Sequence, residues 1–372
     1  YDCIWYLCVF CAAAYLRRFG IPFLQKKSRA LLLYLIGVIG TFGEAMLLHL
    51  FYQRGYFMKR EHSFISNFKL IAEVLVFILL FSAVYKVTEI KYTAAAKQNV
   101  VNAWTKSRFD GFYAQEENTV DMVFIGSSHS YCTFDPENFD KELGTLSWQL
   151  GTPLQHYDTS LYTLKEVYKT QSPKVVVLEL YWDMLDDEFD MKQANSFFEV
   201  VNDKSVTEDY VKNVFPINEK VKYKLLPIRY QQDYFAYESA EIEKKTEERF
   251  GVTKKAAPET NGTEYYLDKG YTYCDTIIPE SEFYETNQYK NFDGADWEAD
   301  DTQKEYLRQF VKLARENGSE VVFVTAPIAN ISMELIDNYD DVHNELAAIS
   351  EELGVKYLDF NIVNMRENLF KL

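Results

Sequence analysis

A short run of small and polar residues, Gly126-Ser127-Ser128-His129, stands directly after the apolar segment 120–125. An apolar run of this length, with a glycine after it, is typical of a buried parallel strand. A hydroxyl that follows such a strand and begins a helix would meet unpaired backbone N–H groups and the positive end of the helix dipole. That placement suits a serine nucleophile whose acyl intermediate needs an oxyanion hole, and it equally suits a serine that only caps the helix.

Histidine is the residue that most often serves such a nucleophile as general base, and the chain contains five. His129 adjoins the serines, but adjacent side chains diverge, so we expect it to form a pocket wall. His156 follows a second glycine, Gly151, and is a candidate substrate contact or base, with an ordinary loop histidine as the alternative. His343 ends an Asp-x-x-His pattern inside the predicted helix 334–353, a setting that favours a structural role.

Strands and helices alternate around these residues. The sequence predicts strands at 120–125, 145–150, 174–180, 320–325 and 355–360, and helices at 136–143, 158–170, 301–316 and 334–353. This alternation predicts an α/β domain with a parallel sheet covered on both faces and function at the carboxyl ends of its strands. We therefore expect Ser128 and Gly151 to lie at one edge of the sheet.

Residues 184–298 interrupt the alternation. They are rich in Tyr, Phe, Asp and Glu, and we interpret them as an insertion that caps the strand ends. Their aromatic rings would stack on sugars or, alternatively, form the core of a small subdomain.

Charge divides the chain into two parts. The net charge is −17, yet residues 1–86 carry ten Lys/Arg against four acids, so the remainder is strongly acidic. An acidic body lacks the clustered cations that phosphate binding needs, so nucleic acid is not expected as a partner. A basic, apolar start followed by an acidic body is typical of a membrane region joined to a water-soluble domain.

Three apolar runs, at 3–16, 30–52 and 68–85, lie in the basic part. The second is long enough to cross about 30 Å of hydrocarbon. It contains Glu44 and His49, which either face a neighbouring helix and the interface or carry chemistry. The third predicts an uncleaved anchor, with everything after residue 85 outside the cytoplasm.

The predicted organisation has four parts: a membrane segment at 1–57, a transmembrane anchor at 58–86, a linker at 87–117 and a soluble domain at 118–372. In the soluble part, Cys132 and Cys274 are far apart and have no metal-ligand spacing. We therefore expect two thiols rather than a disulfide, and no zinc site.

The segment from Val120 to Tyr131, the run Leu150-Gly151-Thr152 and the third predicted strand resemble the SGNH (GDSL-like) hydrolase superfamily. The resemblance covers about 250 residues and is closest to membrane-anchored bacterial members related to polysaccharide O-acetylation. It implies a flavodoxin-like sheet and serine esterase or acyltransferase chemistry without a metal or cofactor. Ser128 matches the nucleophile, with Ser127 in place of the family's Asp. Gly151 matches the glycine whose N–H joins that of Ser128 in the oxyanion hole.

Two departures from the family pattern affect the site. The third block of the family supplies an Asn, but here the strand is followed by Tyr181 and Asp183, which we place in that neighbourhood of the pocket. The family's last block, Asp-x-x-His, is expected after the fifth strand, and no histidine follows His343. We therefore expect the Asp/His pair in a C-terminal segment beyond Leu372.

These features predict an anchored, extracytoplasmic SGNH-type esterase or O-acyltransferase that acts on acetyl or similar esters of cell-envelope glycans. A second interpretation, favoured by the missing Asn, is a non-catalytic SGNH-fold protein that binds glycan or scaffolds an acyltransferase complex. Residues 4–20 loosely resemble multi-span membrane acyltransferases, so such an enzyme is a candidate partner. A third interpretation places the chemistry at Glu44 and His49.

Overall fold

The computed structural model describes two compact units, Tyr1–Ala96 with Tyr230–Val252 and Lys97–Arg229 with Thr253–Leu372. The residues that the structure describes are 75–76, 78–86, 89, 103–186, 189–229, 264–275, 283–284 and 287–367. Nearly all of them belong to the second unit.

The described part of the first unit is helical at 75–76 and 78–86. Its apolar side chains are largely exposed, including Leu79 at 69% and Val84 at 66%. Among the residues described, no helix is both long and apolar enough to span a bilayer. The predicted spans at 3–16 and 30–52, with Glu44 and His49, lie outside the described residues.

A five-stranded parallel sheet forms the centre of the second unit, which confirms the predicted α/β class. Its strands, in chain order, are β1 (Met122–Ile125), β2 (Ser147–Gln149), β3 (Val175–Glu179), β4 (Glu320–Thr325) and β5 (Lys356–Asp359). The spatial order is β2-β1-β3-β4-β5, and every neighbouring pair is parallel. The residues that follow the strands therefore meet at one carboxyl edge of the sheet.

The described residues of this unit form thirteen α-helices. They are α1 (Ala103–Tyr113), α2 (Ser128–Thr133), α3 (Pro136–Leu143), α4 (Tyr157–Val167), α5 (Asp183–Asp186), α6 (Met191–Phe198), α7 (Lys204–Asn213), α8 (Ile217–Lys224), α9 (Leu226–Arg229), α10 (Asp301–Glu316), α11 (Asn330–Met333), α12 (Tyr339–Glu352) and α13 (Phe360–Glu367). Helices α2 to α4, α10 and α12 lie between successive strands of the sheet, as the alternation predicts.

The sheet buries apolar side chains on both faces. Val123 and Ile125 of β1 join the larger core cluster, whereas Phe124 joins a smaller one with Phe134 and Val177. This separation follows from the alternation of side chains along a strand. Two buried layers leave the ends of the strands as the place where polar groups can gather.

Helix α1 occupies most of the described part of the predicted linker. Trp104, Phe109 and Phe112 are buried, and Trp148 of β2 donates a hydrogen bond from its indole N–H to the Arg108 carbonyl at 3.0 Å. The Arg108 guanidinium donates in turn to the Gly270 carbonyl at 2.6 Å, which ties α1 to the antiparallel hairpin of Glu264–Tyr266 and Thr272–Cys274. The apolar residues of α1 are separated by Lys, Arg and Asp, so the sequence alone does not predict that this helix is buried.

The predicted helix 334–353 is shorter in the structure. Ile336–Asp337 form a short strand that pairs in parallel with Phe292–Asp293, and Asn338 then adopts a left-handed conformation with φ of 51°. Helix α12 begins only after this turn, because a continuous helix cannot pass through a left-handed residue. Further on, α13 follows β5, where the sequence suggested no element. Cys132 and Cys274 are exposed thiols, as expected.

Candidate functional site

The turn between β1 and α2 fixes the positions of the two candidate serines. Gly126 has φ of 153°, and Ser127 is the N-cap of α2. The Ser127 hydroxyl accepts a hydrogen bond from the His129 N–H at 3.2 Å, and Ser127 is only 1% exposed. The capping role that the sequence left open for a serine here therefore belongs to Ser127.

Ser128 is the first residue of α2 and is partly exposed. Its hydroxyl makes no hydrogen bond to any residue that the structure describes. Because the cap is already supplied by its neighbour, the Ser128 hydroxyl is available to an incoming group.

Gly151 packs directly against this turn, as the sequence predicted for the two residues at one sheet edge. The Thr152 N–H donates to the Gly126 carbonyl at 3.0 Å, and a Cβ at Gly151 would lie 3.0 Å from both the Gly126 and Ser127 carbonyl oxygens. A residue without a side chain is thus required for the β2 loop to approach the serines.

The Gly151 N–H already has a partner. It donates to Gln149 Oε1 at 2.8 Å, and Gln149 Nε2 donates to the Ser130 carbonyl at 3.0 Å. The buried Gln149 side chain therefore connects the β2 loop to α2, and the Gly151 N–H would have to leave it to bind an oxyanion. Sequence reasoning missed Gln149; its signal was a polar side chain at the end of a buried strand.

Glu179, the last residue of β3, lies beneath the serine turn. Its Oε2 accepts a hydrogen bond from the Ser127 N–H at 2.8 Å, and the residue is 2% exposed. Its Oε1 has no hydrogen-bond partner in the described ranges. Burial raises the pKa of Glu179 to about 7, although the hydrogen bonds from Ser127 oppose the increase. The sequence signal for Glu179 is a single acid within an apolar strand.

His129, Tyr181 and Asp183 come together, consistent with the predicted pocket wall. The rings of His129 and Tyr181 are 4.2 Å apart, and the Tyr181 hydroxyl donates to Asp183 Oδ2 at 2.6 Å. Gln288 Nε2 donates to the same tyrosine hydroxyl at 3.0 Å. Burial lowers the pKa of His129 to about 4, so its imidazole is neutral at pH 7. The wall therefore combines aromatic faces with neutral and acidic hydrogen-bonding groups.

His156 lies at the N-terminus of α4 and is only 4% exposed. Burial raises the pKa of the nearby Asp158 carboxyl, and the charge of His156 opposes that effect. Asp158 also accepts a hydrogen bond from the Tyr210 hydroxyl of α7 at 2.9 Å. This histidine thus belongs to a buried group shared with the insertion, and its role as base stays a prediction.

His343 is held by a buried carboxylate, which the sequence did not predict. Its Nδ1 lies 2.8 Å from Oδ2 of Asp359, at the end of β5. Asp359 also accepts hydrogen bonds from the hydroxyls of Tyr339 and Tyr357. However, β5 is three strands away from β1 in the sheet. At about 4.8 Å per strand, that separation is about 14 Å, too far for direct proton transfer to Ser128.

In the parts of the chain described by the structure, no three His, Cys, Asp or Glu side chains form a cluster that could hold a metal ion.

Replacing Gly126 with alanine is expected to destabilise the domain by about 2–3 kcal/mol, because its φ is unfavourable and the added methyl meets packed atoms. The Cβ would lie 2.6 Å from Glu179 Cβ and 2.7 Å from its Oε2. Gly144→Ala is the matched control, since Gly144 also has positive φ but open space around it. It should cost about 1 kcal/mol. The free energy of unfolding of each variant is measured by denaturant titration with tryptophan fluorescence. An equal loss of stability in the two variants would contradict the close contact between Gly126 and Glu179.

No protein-family model matches the chain, and no curated protein is significantly similar to it. The geometry at the sheet edge is therefore the basis of any functional proposal.

Proposed function

We propose that this chain is a membrane-anchored, extracytoplasmic serine esterase or O-acyltransferase of the SGNH type, with a flavodoxin-like sheet. Its substrates would be acetyl or similar esters of cell-envelope glycans. The observation that carries the proposal is the division of roles between adjacent serines. Ser127 is buried and caps α2, whereas Ser128 is partly exposed and its hydroxyl makes no hydrogen bond to any described residue.

In the proposed reaction, Ser128 Oγ attacks the ester carbonyl carbon. The acyl–serine bond forms as the bond to the glycan oxygen breaks, and the serine proton ends on the departing alcohol. Water or a second alcohol then attacks the acyl-enzyme and releases the acyl group as an acid or a new ester. The N–H groups of Ser128 and Gly151 would hold the oxyanion, which requires Gly151 to exchange its hydrogen bond to Gln149.

The reaction also requires a general base. Within the described residues, no histidine hydrogen-bonds to Ser128. The His129 ring packs on Tyr181, and His343 is paired with Asp359 three strands away. The proposed enzyme therefore needs a base that the described residues do not supply in this arrangement.

Two further observations support the membrane and glycan parts of the proposal. The helical residues 78–86 expose aliphatic and aromatic side chains, as a lipid-facing segment would. Near the serine turn, His129 and Tyr181 form a wall with polar groups at its rim, which suits a sugar ring bound by stacking and hydrogen bonds.

A non-catalytic SGNH-fold protein that binds glycan or scaffolds an acyltransferase complex is the second candidate. Two observations favour it: the Gly151 N–H is already occupied by Gln149, and no imidazole hydrogen-bonds to Ser128 among the described residues. Both features suit a binding site as they stand, whereas an enzyme would have to change them before it could react.

Labelling with a fluorophosphonate probe distinguishes the two functions. The full-length protein in detergent is incubated with the probe, and the modified peptide is identified by mass spectrometry. An activated serine forms a covalent adduct at Ser128, whereas a binding protein does not react above its heat-denatured control. Binding of an acetylated envelope glycan without any adduct would support the second candidate.

His343→Gln is expected to leave the rate of labelling at Ser128 within about twofold of wild type, because His343 is too distant to act on it directly. Asp359 keeps its hydrogen bonds from Tyr339, Tyr357 and the Asn361 N–H, so the fold should persist. A greater than tenfold loss of labelling in a folded variant would show that this histidine reaches the serine.

A further inference from the structure

Helix α8 carries an apolar stripe that faces away from the domain. The stripe consists of Ile217, Val221 and, directly after the helix, Leu225, which are 79%, 61% and 37% exposed. Residues four apart lie on one face of a helix. On another face, the Tyr223 ring packs against Phe198 and Phe215, with ring centroids 5.5 Å and 5.3 Å apart. This contact fixes the rotation of α8 so that the stripe points outward.

Lysines flank the stripe on both sides. At 100° per residue, Lys220 and Lys224 lie on one side and Lys222 on the other. Lys222 pairs with Glu219 of the same helix, and Lys220 donates a hydrogen bond to the Lys212 carbonyl at 2.6 Å. Lys224 is the flanking lysine with neither kind of contact among the described residues. Residues 211–225 contain four Lys and a single Glu, in a chain whose net charge is −17. This local positive charge is opposite in sign to the rest of the domain.

An aliphatic stripe between lysines is the pattern of a helix that lies in the surface of a lipid bilayer. The apolar side chains enter the boundary between headgroups and acyl chains, and the lysines meet anionic headgroups. A polyanionic glycan would satisfy the lysines but leave the exposed aliphatic side chains in water. The combination therefore favours phospholipid over polysaccharide.

We propose that α8 docks on an anionic phospholipid surface, with Ile217, Val221 and Leu225 inserted and Lys222 and Lys224 against the phosphates. The contact does not depend on the proposed esterase activity. Because α8 belongs to the insertion between β3 and β4, the contact holds that insertion at the bilayer surface.

The test uses the full chain in lipid nanodiscs, with its five native cysteines replaced by serine. An environment-sensitive fluorophore is attached at Val221→Cys or, as a control, at Lys312→Cys on the exposed face of α10. Nanodiscs contain either phosphatidylcholine alone or a mixture with phosphatidylglycerol, together with lipids that carry a quencher in the acyl chain. We expect strong quenching only at position 221, and more in the anionic discs.

Two paired variants separate charge from apolar contact. Lys222→Gln with Lys224→Gln should lower the ratio of inserted to free helix by about fivefold for each lysine. Lys141→Gln with Lys290→Gln, two exposed lysines elsewhere in the domain, should leave it unchanged. Ile217→Ser with Leu225→Ser should reduce quenching while keeping the charge.

Three results would overturn the proposal. Equal quenching at positions 221 and 312 would show that the helix has no preferred contact with lipid. A blue-shifted but unquenched fluorophore at 221 would mean that protein covers the stripe. A response of position 221 to a soluble polyanion, without quenching by lipid, would identify a polysaccharide as the partner.

Discussion

If the proposed function holds, Ser128→Ala is expected to abolish fluorophosphonate labelling and to lower ester hydrolysis by a factor of at least about 10³, as loss of the nucleophile does in serine hydrolases. The reason is specific to this turn: Ser128 is partly exposed, and its hydroxyl makes no hydrogen bond within the described part of the chain. Alanine fits the first position of α2 without strain, so the free energy of unfolding should change by less than about 0.5 kcal/mol. Rates of probe incorporation, measured with in-gel fluorescence, report the loss directly.

Ser127→Ala is the matched control at the adjacent position. It removes the cap of α2 and should cost about 1 kcal/mol of stability, but it leaves the proposed nucleophile, Ser128, in place. Labelling should therefore fall by less than about tenfold. Persistent labelling of the Ser128→Ala variant would contradict the assignment of Ser128 as nucleophile. An adduct mapped to Ser127 or Ser130 in the wild-type protein would assign that role to the labelled serine instead.

The stability of the domain should fall as pH rises from about 4.5 to about 7, and Glu179 should account for about 3 kcal/mol of that fall. Burial raises the pKa of Glu179 from its ordinary value of 4.5 to about 7, so the native state keeps the proton over a range in which the unfolded chain has lost it. Below about pH 4.5 both states are protonated, and above about 7 both are ionised. The nearby tyrosines Tyr157 and Tyr289 stay neutral throughout, because burial and the charge of Glu179 both raise their pKa.

Glu179→Gln isolates this contribution, because the amide does not titrate and its oxygen can still accept from the Ser127 N–H. The free energy of unfolding of the Gln variant relative to wild type should rise by about 3 kcal/mol between pH 4 and pH 8. Glu179→Ala should instead be destabilised at every pH, because it leaves the Ser127 N–H and a cavity unfilled. Chemical denaturation at a series of pH values measures each curve. Parallel curves for wild type and the Gln variant would mean that Glu179 does not titrate in this range.

The sequence predicted the framework of the domain closely where capping and periodicity agree. Helices α3 and α10 have the predicted bounds because Asp135 and Asp300 cap them, with Gly144 and Asn317 at their ends. The apolar runs that became β1, β3 and β4 were clear because both faces of the sheet are buried. Helix α1 was missed because its buried residues include a charged one, Arg108, whose partners lie some 160 residues further along the chain.

The candidate site was predictable only where it follows local rules. The placement of Ser128 and Gly151 at one edge follows from parallel strand order. The contacts of Gln149 and Glu179 depend on which strands are neighbours, and the sequence does not state that order. The pairing of His343 with Asp359 joins a helix to a strand, so the local motif around His343 pointed to the wrong acid.

The sheet order also has a consequence for chain topology. Strands β3 and β4 are neighbours, yet 140 residues lie between Glu179 and Glu320, whereas β2 and β3 are joined by about 25. The entropy of closing a flexible loop grows only with the logarithm of its length, so the longer connection costs about 1.5 kcal/mol more. An insertion of this length therefore lowers the stability of the sheet only slightly. Segments within it can lengthen, shorten or diverge while the five strands keep their register, so the surface above the strand ends can change independently of the core below.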